Sequence, residues 1–265
     1  KSFLHQLISS QLDMDRLDYL RRDSFYSGVT EGSVNSERLL TMLNVKDDQL
    51  VVDAKGIYSV EKFLVARRLM YWQVYMHKTV LSAEFMLVNI LKRAKYLANE
   101  GIELPGTIAL RHFLNADYSW NEFEENPAVL EKFVLLDDYD VMSAIKDWTN
   151  HSDIILSELS RRVTDRNLLK IRLQATPFAP EVSARIGEAI KSQYGFSHGE
   201  EQYMYIEAKV KNHAYNNKKG HINLLYKDGH ISDISQAADQ MTIQALSEPV
   251  ERHFICFPRE LKDLL

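Results

Sequence analysis

The chain is poor in cysteine. Its 265 residues contain one, Cys256, which excludes an internal disulfide and any cysteine-built zinc site. Long apolar runs are missing too. None reaches the roughly 18 residues needed to span a bilayer, and no stretch reads as a secretory signal. Nor is there an excess of basic charge: 32 Lys and Arg stand against 37 Asp and Glu, a net charge of −5. A general nucleic-acid binder shows a basic domain instead. A glycine-rich phosphate loop, a serine nucleophile elbow, internal repeats and low-complexity segments are also absent. These absences fit a protein of the reducing cytoplasm that neither crosses a membrane nor holds nucleic acid by bulk charge.

What is present is ordinary for a folded globular chain, with 45% hydrophobic and 26% charged residues. The length allows a sizeable core, in one large or two small domains. The first ten residues already look folded, with Phe3, Leu4, Leu7 and Ile8 apolar.

The densest chemistry lies in Ser9–Val29, SSQLDMDRLDYLRRDSFYSGV. No Gly or Pro interrupts Asp13–Tyr26, and leucines recur at 12, 17 and 20, so the segment predicts a helix ended by Gly28. Residues four apart share a helix face. Asp15, Tyr19 and Asp23 therefore form a polar stripe, and Leu17, Leu20 and Ser24 form the core face. A solvated face laced with ion pairs is the plain reading of such a helix.

The whole string, however, resembles the D-x-D-[RK]-x-D-Y-x-x-[RA]-D helix of HD-superfamily phosphohydrolases, in the branch of the deoxynucleoside triphosphate triphosphohydrolases. Asp13, Asp15, Arg16, Asp18, Tyr19, Arg22 and Asp23 occupy those places. A second stretch is similar to the same family. Ser59–Asn99 predicts one long, many-sided apolar helix ended by Gly101, carrying Arg67, Tyr71, Tyr75 and Lys78 at intervals of four, four and three. Arg67, Tyr75, His77 and Lys78 fall at the family's spacing. Tyr71 stands where the family commonly has histidine, which puts proton transfer at position 71 in doubt.

The resemblance implies a mainly α fold: the C-terminal part of an HD-type helical core over 1–169, then a small α+β lobe over 170–265. It implies that Asp15 is one ligand of a divalent metal (Mg, Mn, Fe or Zn). Arg16 and Arg67 would hold phosphates, Tyr19 and Asp23 would sit near the sugar 3′-hydroxyl, and Tyr75 would lie against C2′ and exclude a 2′-hydroxyl. Lys55 stands where some relatives contact a regulatory nucleotide, although a turn lysine beside glycine is usually only solvated. The implied partners are a deoxynucleoside triphosphate, a nucleotide activator and further copies of the chain in a dimer or tetramer.

The metal site is incomplete in this sequence. None of the nine histidines is followed by Asp, and none forms a His-x-x-x-His pair. The family's His and His-Asp ligands precede the helix, and twelve residues precede Asp13. The expectation is the C-terminal portion of a longer protein, with no catalytic residue assigned within this chain and little or no hydrolase activity from the chain alone. The competing reading is a non-catalytic nucleotide-binding or oligomerisation module without a metal site.

Elsewhere Ser36–Met42 predicts a short helix with Ser36 as its cap, and Leu50–Asp53 a strand. Pro105–Phe113, Leu130–Leu136, Asp140–Thr149, Ser152–Thr164 and Glu181–Tyr194 predict helices, and Asp117–Pro127 a loop. Leu169–Gln174, Gln202–Val210 and Glu251–Phe257 predict strands. Ile222–Tyr226 and His230–Ile234 flank the turn Lys227-Asp228-Gly229 as a hairpin across which His221 and His230 could pair.

Overall fold

The structure is a computed structural model that describes residues 1–212, 215, 220–237 and 249–264. It is mainly α with a small α+β part, as the sequence predicts; eleven α-helices lie among the described residues. The chain divides into two compact units, Lys1–His77 with Lys209–Arg252, and Lys78–Ala208 with His253–Leu265. The change of pattern near residue 170 falls inside the second unit, where it marks a strand.

The first unit opens with α1 (Ser2–Ile8) and α2 (Met14–Ser27). Asp13 caps α2. Its carboxylate accepts the Arg16 amide at 2.8 Å and the Ser10 amide at 3.2 Å, satisfying donors a helix start would otherwise leave bare. Leu17, Leu20 and Ser24 are the buried face, as their spacing predicts, and Gly28 ends the helix at φ 73°. A 3-10 turn, Thr30–Gly32, leads to α3 (Ser36–Met42). The cap of α3 is Asn35, which accepts the Arg38 amide at 3.0 Å, rather than Ser36. β1 (Leu43–Lys46) and β2 (Gln49–Asp53) form an antiparallel pair. β2 also pairs in parallel with β5 (Asn223–Leu225), which returns antiparallel to β6 (Ile231–Asp233), giving the order β1-β2-β5-β6.

The long helix predicted over Ser59–Asn99 is two helices. α4 (Ile57–Met70) runs into a π-helical turn, Tyr71–Tyr75, closed by the Met76 amide on the Tyr71 carbonyl at 2.7 Å. The run breaks at Met76-His77, and α5 (Lys78–Asn99) begins in the second unit. No Gly or Pro marks the break, which is why sequence pattern misses it. A π turn is one residue of surplus in a helix and is found often at functional sites.

The core of the first unit draws on five elements: Leu17 and Leu20 of α2, Leu39 of α3, Val52 of β2, Phe63, Leu64 and Met70 of α4, and Leu224 of β5. Burying each such side chain stabilises the fold by roughly 1.5–3 kcal/mol before entropy is subtracted.

In the second unit α5 is followed by α6 (Ile108–Asn115), α7 (Trp120–Glu125), α8 (Pro127–Val134), α9 (Asp138–Trp148) and α10 (Ile154–Thr164). α7 occupies the segment predicted as loop; its capping box, Ser119 with Glu122, is the signal that was there to read. β3 (Lys170–Gln174) and α11 (Pro180–Tyr194) follow, and β3 pairs antiparallel with the His253–Phe257 part of β7 (Val250–Phe257), whose first residues, like most of β4 (Ile206–Asn212), belong to the first unit. β4 begins later than its alternation suggests, because Glu200–Tyr203 forms a 3-10 turn. Arg93 of α5 binds Asp153, the cap of α10, at 2.6 Å and Glu200 at 3.1 Å, with both Arg93 and Asp153 largely buried.

Candidate functional site

The polar stripe of α2 and the C-terminal end of α4 with its π turn meet within the first unit. Four apart on α2, Tyr19 and Asp23 face the same way; Arg67 comes from α4, and Tyr71 and Tyr75 from the π turn that follows it. The Tyr75 hydroxyl donates to Asp23 Oδ2 at 2.7 Å. The Tyr19 and Tyr75 rings stand edge-to-face at 5.8 Å, as do Tyr71 and Tyr75 at 5.1 Å. The Arg67 guanidinium lies 5.9 Å from the Tyr71 ring centre, and its Nη1 donates to Gln11 Oε1 at 3.3 Å.

Of the residues singled out in the sequence, Tyr19, Asp23, Arg67 and Tyr75 are thus brought into one cluster. Arg16 is near enough to Tyr19 to stabilise its ionised form, but its own Nη1 donates to the Asp13 carboxylate and the Ser10 carbonyl (2.5 Å). An anion drawn to Arg16 meets a guanidinium already tied on one edge. Asp15 lies apart from these contacts, exposed in the first turn of α2.

Burial, then the neighbouring Tyr71, pushes the Tyr19 phenol up to about 12, while Arg67 and Arg16 pull the other way. Tyr75 is raised further, first by burial and then by its bond to Asp23. Both phenols are therefore protonated at neutral pH, and each can donate a hydrogen bond. The cluster offers aromatic faces for stacking, a carboxylate to accept from a hydroxyl, and guanidinium groups to balance an anion.

One contributor, Gln11, has no signal in the sequence. Gln11 is buried and reaches Arg67 from a non-helical segment where no period singles it out. Tyr71, which the spacing puts on the Arg67–Tyr75 stripe but which stands where the resemblance expects histidine, is the ring against which both Arg67 and Tyr75 lie.

The metal is a different matter. Asp15 offers one carboxylate. Among the described residues no group of three or more His, Cys, Asp or Glu side chains is placed to hold an ion, so these residues do not by themselves make a metal site. The histidines take other contacts: His221 Nδ1 pairs with Asp233 at 2.8 Å rather than across the hairpin with His230, whose ring lies 5.8 Å from Tyr226. His213 lies outside the described residues. Lys55 pairs with Asp53 at 3.4 Å and lines a hollow of about 710 Å³ with Tyr226, Lys227 and Asp228. No helix among the described residues is long and apolar enough to cross a membrane.

Residues 34–104 match the family described as the HD associated region. That stretch contains Arg67, Tyr71 and Tyr75 but not α2. An uncharacterised protein of Bacillus subtilis, YwfO, is 39% identical over 164 residues, 62% of this chain and 36% of that protein. The deoxynucleoside triphosphate triphosphohydrolase SAMHD1 homolog of Dictyostelium discoideum is 31% identical over 97 residues, 36% of this chain and 19% of that protein. The chain therefore spans about a third or less of these relatives' length. A crystal structure of a phosphohydrolase from Bacteroides thetaiotaomicron superposes with TM-score 0.89 at 47% identity, covering 97% of this chain and 64% of that one. A hypothetical protein of Aquifex aeolicus, 22% identical with TM-score 0.67, shares the fold. Residues 34–104 of the chain are thus similar to the HD associated region, and over nearly its whole length the chain is similar in structure to a bacterial phosphohydrolase.

Proposed function

We propose that the protein containing this chain hydrolyses deoxynucleoside triphosphates to deoxynucleoside and triphosphate, and that the α2–α4 cluster is its nucleotide-lining wall. The observation that carries this reading is the Tyr75–Asp23 hydrogen bond, set in the Tyr19, Tyr71 and Arg67 contacts. The likeness to a phosphohydrolase and to a triphosphohydrolase homologue supports it.

In this reading Arg67 and Arg16 balance the triphosphate, Arg16 through the part of its guanidinium that Asp13 leaves open. Charge-assisted bonds of this kind are among the stronger ones a site can offer. Tyr19 and Asp23 meet the sugar hydroxyl: the phenol donates and the carboxylate accepts. The Tyr75 ring fills the space beside C2′. Its bond to Asp23 keeps it there, so a 2′-hydroxyl meets carbon rather than a partner, and an unpaired buried polar group is costly. Asp15 is the oxygen donor this chain can contribute to a divalent metal such as Mg, Mn, Fe or Zn. The further donors are not found among the described residues, so the role written for this chain is binding and orientation, and the 265 residues alone are expected to hydrolyse little.

The test compares the full-length protein and the 265-residue chain. Triphosphate release from each of the four deoxynucleoside triphosphates is followed by ion-exchange chromatography, with the ribonucleotides alongside. Binding to the short chain is measured by calorimetry. Release by the full protein, reduced at least tenfold by Arg67→Ala, bears the reading out. Failure of the full protein to release triphosphate from any of them, with and without added Mg, Mn, Fe or Zn, defeats the enzyme reading. Deoxynucleotide binding without release points to a non-catalytic module.

A further inference from the structure

The second unit leaves a run of apolar side chains uncovered. α8 turns Val129 inward, and Phe133 packs edge-on against Phe123 at 5.5 Å and Phe113 at 6.0 Å. On its other side Leu130 and Val134, four apart and so on one face, are exposed, Val134 by 75%. The chain continues with Leu135, 71% exposed, and then with Tyr139 and Met142 on α9, also exposed. Single exposed apolar residues need no explanation, but a run of five within thirteen residues marks an interaction surface.

The charge around this run selects among occupants. Residues 117–147 carry nine Asp and Glu against Lys132 and Lys146 alone, although the whole chain is only −5. Two of these carboxylates are held toward the ionised form by local hydrogen bonds. Glu122 accepts the Ser119 amide and hydroxyl, each at 2.7 Å, and is held below the usual carboxylate range by them. Asp140 is lowered too, by Thr107 and then by the Asp137 amide. A second copy of this segment would oppose carboxylates to carboxylates, and the rest of the chain is too nearly neutral to supply the missing positive charge. A membrane surface, with its anionic headgroups, is repelled in the same way.

We propose that the Leu130–Met142 face docks an amphipathic helix of a partner protein whose apolar stripe is bordered by lysine and arginine. Helix-on-surface docking of this kind takes its affinity from the apolar stripe and its specificity and on-rate from the flanking charge.

The test uses the 265-residue protein and two labelled 18-residue helical peptides with the same leucine stripe, one flanked by lysine and one by glutamate. Fluorescence anisotropy gives the affinities at 50 and 500 mM salt, and sedimentation velocity gives the oligomeric state. The Leu/Lys peptide binds, at least tenfold more weakly at the higher salt. The pair Leu130→Ser with Val134→Ser, both exposed and so expected to leave the melting temperature unchanged, weakens it at least tenfold. The Leu/Glu peptide does not bind. Binding unaltered by the two serines shows that charge elsewhere holds the peptide, and overturns the proposal. So do equal binding of both peptides, absence of binding, or self-association that the serines abolish, which would make a second copy the occupant.

Discussion

The Tyr75 hydroxyl sits 2.7 Å from Asp23 Oδ2 and joins the last residue of a π turn to the middle of another helix. Neither residue reaches the other through sequence neighbourhood; 52 positions separate them. Removing the hydroxyl in Tyr75→Phe leaves the ring stacks with Tyr19 and Tyr71 intact and frees the carboxylate. The expected cost is about 1 kcal/mol, since the pair is only partly buried and water re-satisfies Asp23. Urea unfolding measures it. On the proposed nucleotide reading the same variant is expected to weaken discrimination between deoxy- and ribonucleotides, and Tyr75→Ala to weaken it further.

Tyr19 gives a prediction at alkaline pH. Burial raises it to about 12 from an ordinary value of 10.0. A group whose folded value is raised contributes stability that is complete below the unfolded value and lost as pH rises through the folded one. Tyr19 therefore favours the fold up to about pH 10, and that contribution drains away between about 10 and 12. Across that range the melting temperature of wild type should fall relative to that of Tyr19→Phe, phenylalanine being the less pH-sensitive.

The buried pair in the second unit behaves oppositely. Burial alone would raise Asp153, but Arg93 and the Leu156 amide outweigh it and leave the carboxyl lowered. Its contribution is complete above the unfolded aspartate value of about 3.9 and is lost as pH falls through the lower folded value. Asp153→Asn leaves Arg93 without its closest partner and removes a charged helix cap; the expected loss is about 3 kcal/mol at neutral pH. The deficit should shrink below about pH 4, which acid titration of both proteins checks.

Gly32, in the turn after α2, packs tightly against Met70 at the end of α4 and Ser24 of α2. A Cβ there would stand 2.7 Å from Met70 Cγ and 2.9 Å from Ser24 Cβ. Gly32→Ala is expected to destabilise by about 2 kcal/mol through overpacking, and to loosen the Tyr75–Asp23 contact that the same two helices carry. A lowered midpoint in urea with unchanged slope is the expected signature.

The parts of this molecule legible in sequence are those whose signals are local. α2 was readable because one run supplies its acidic start, its leucine period and its terminal glycine. The β5–β6 hairpin was readable from Lys227-Asp228-Gly229. The stripe Arg67, Tyr71, Tyr75 was readable because spacing alone puts those residues on one side. The parallel pairing of β2 with β5 was not, since it joins segments more than 170 residues apart and leaves no trace in either. The division of Ser59–Asn99 failed for another reason: every residue from Tyr71 to His77 tolerates helix, and the surplus residue shows only in the bonding. Gln11 was hidden because a side chain in an irregular segment carries no period.

That surplus residue has a further consequence. An α-helix fixes the angular phase of its apolar stripe from end to end, at about 100° per residue. Had α4 and α5 been continuous, the stripe of Phe63, Leu64 and Met70 would have dictated where Leu81, Met86 and Ile90 must fall. The π turn and the break behind it reset that phase. The two apolar patterns are therefore timed separately: a one-residue insertion or deletion within α4 rotates only the first unit's buried stripe, and one within α5 only the second's.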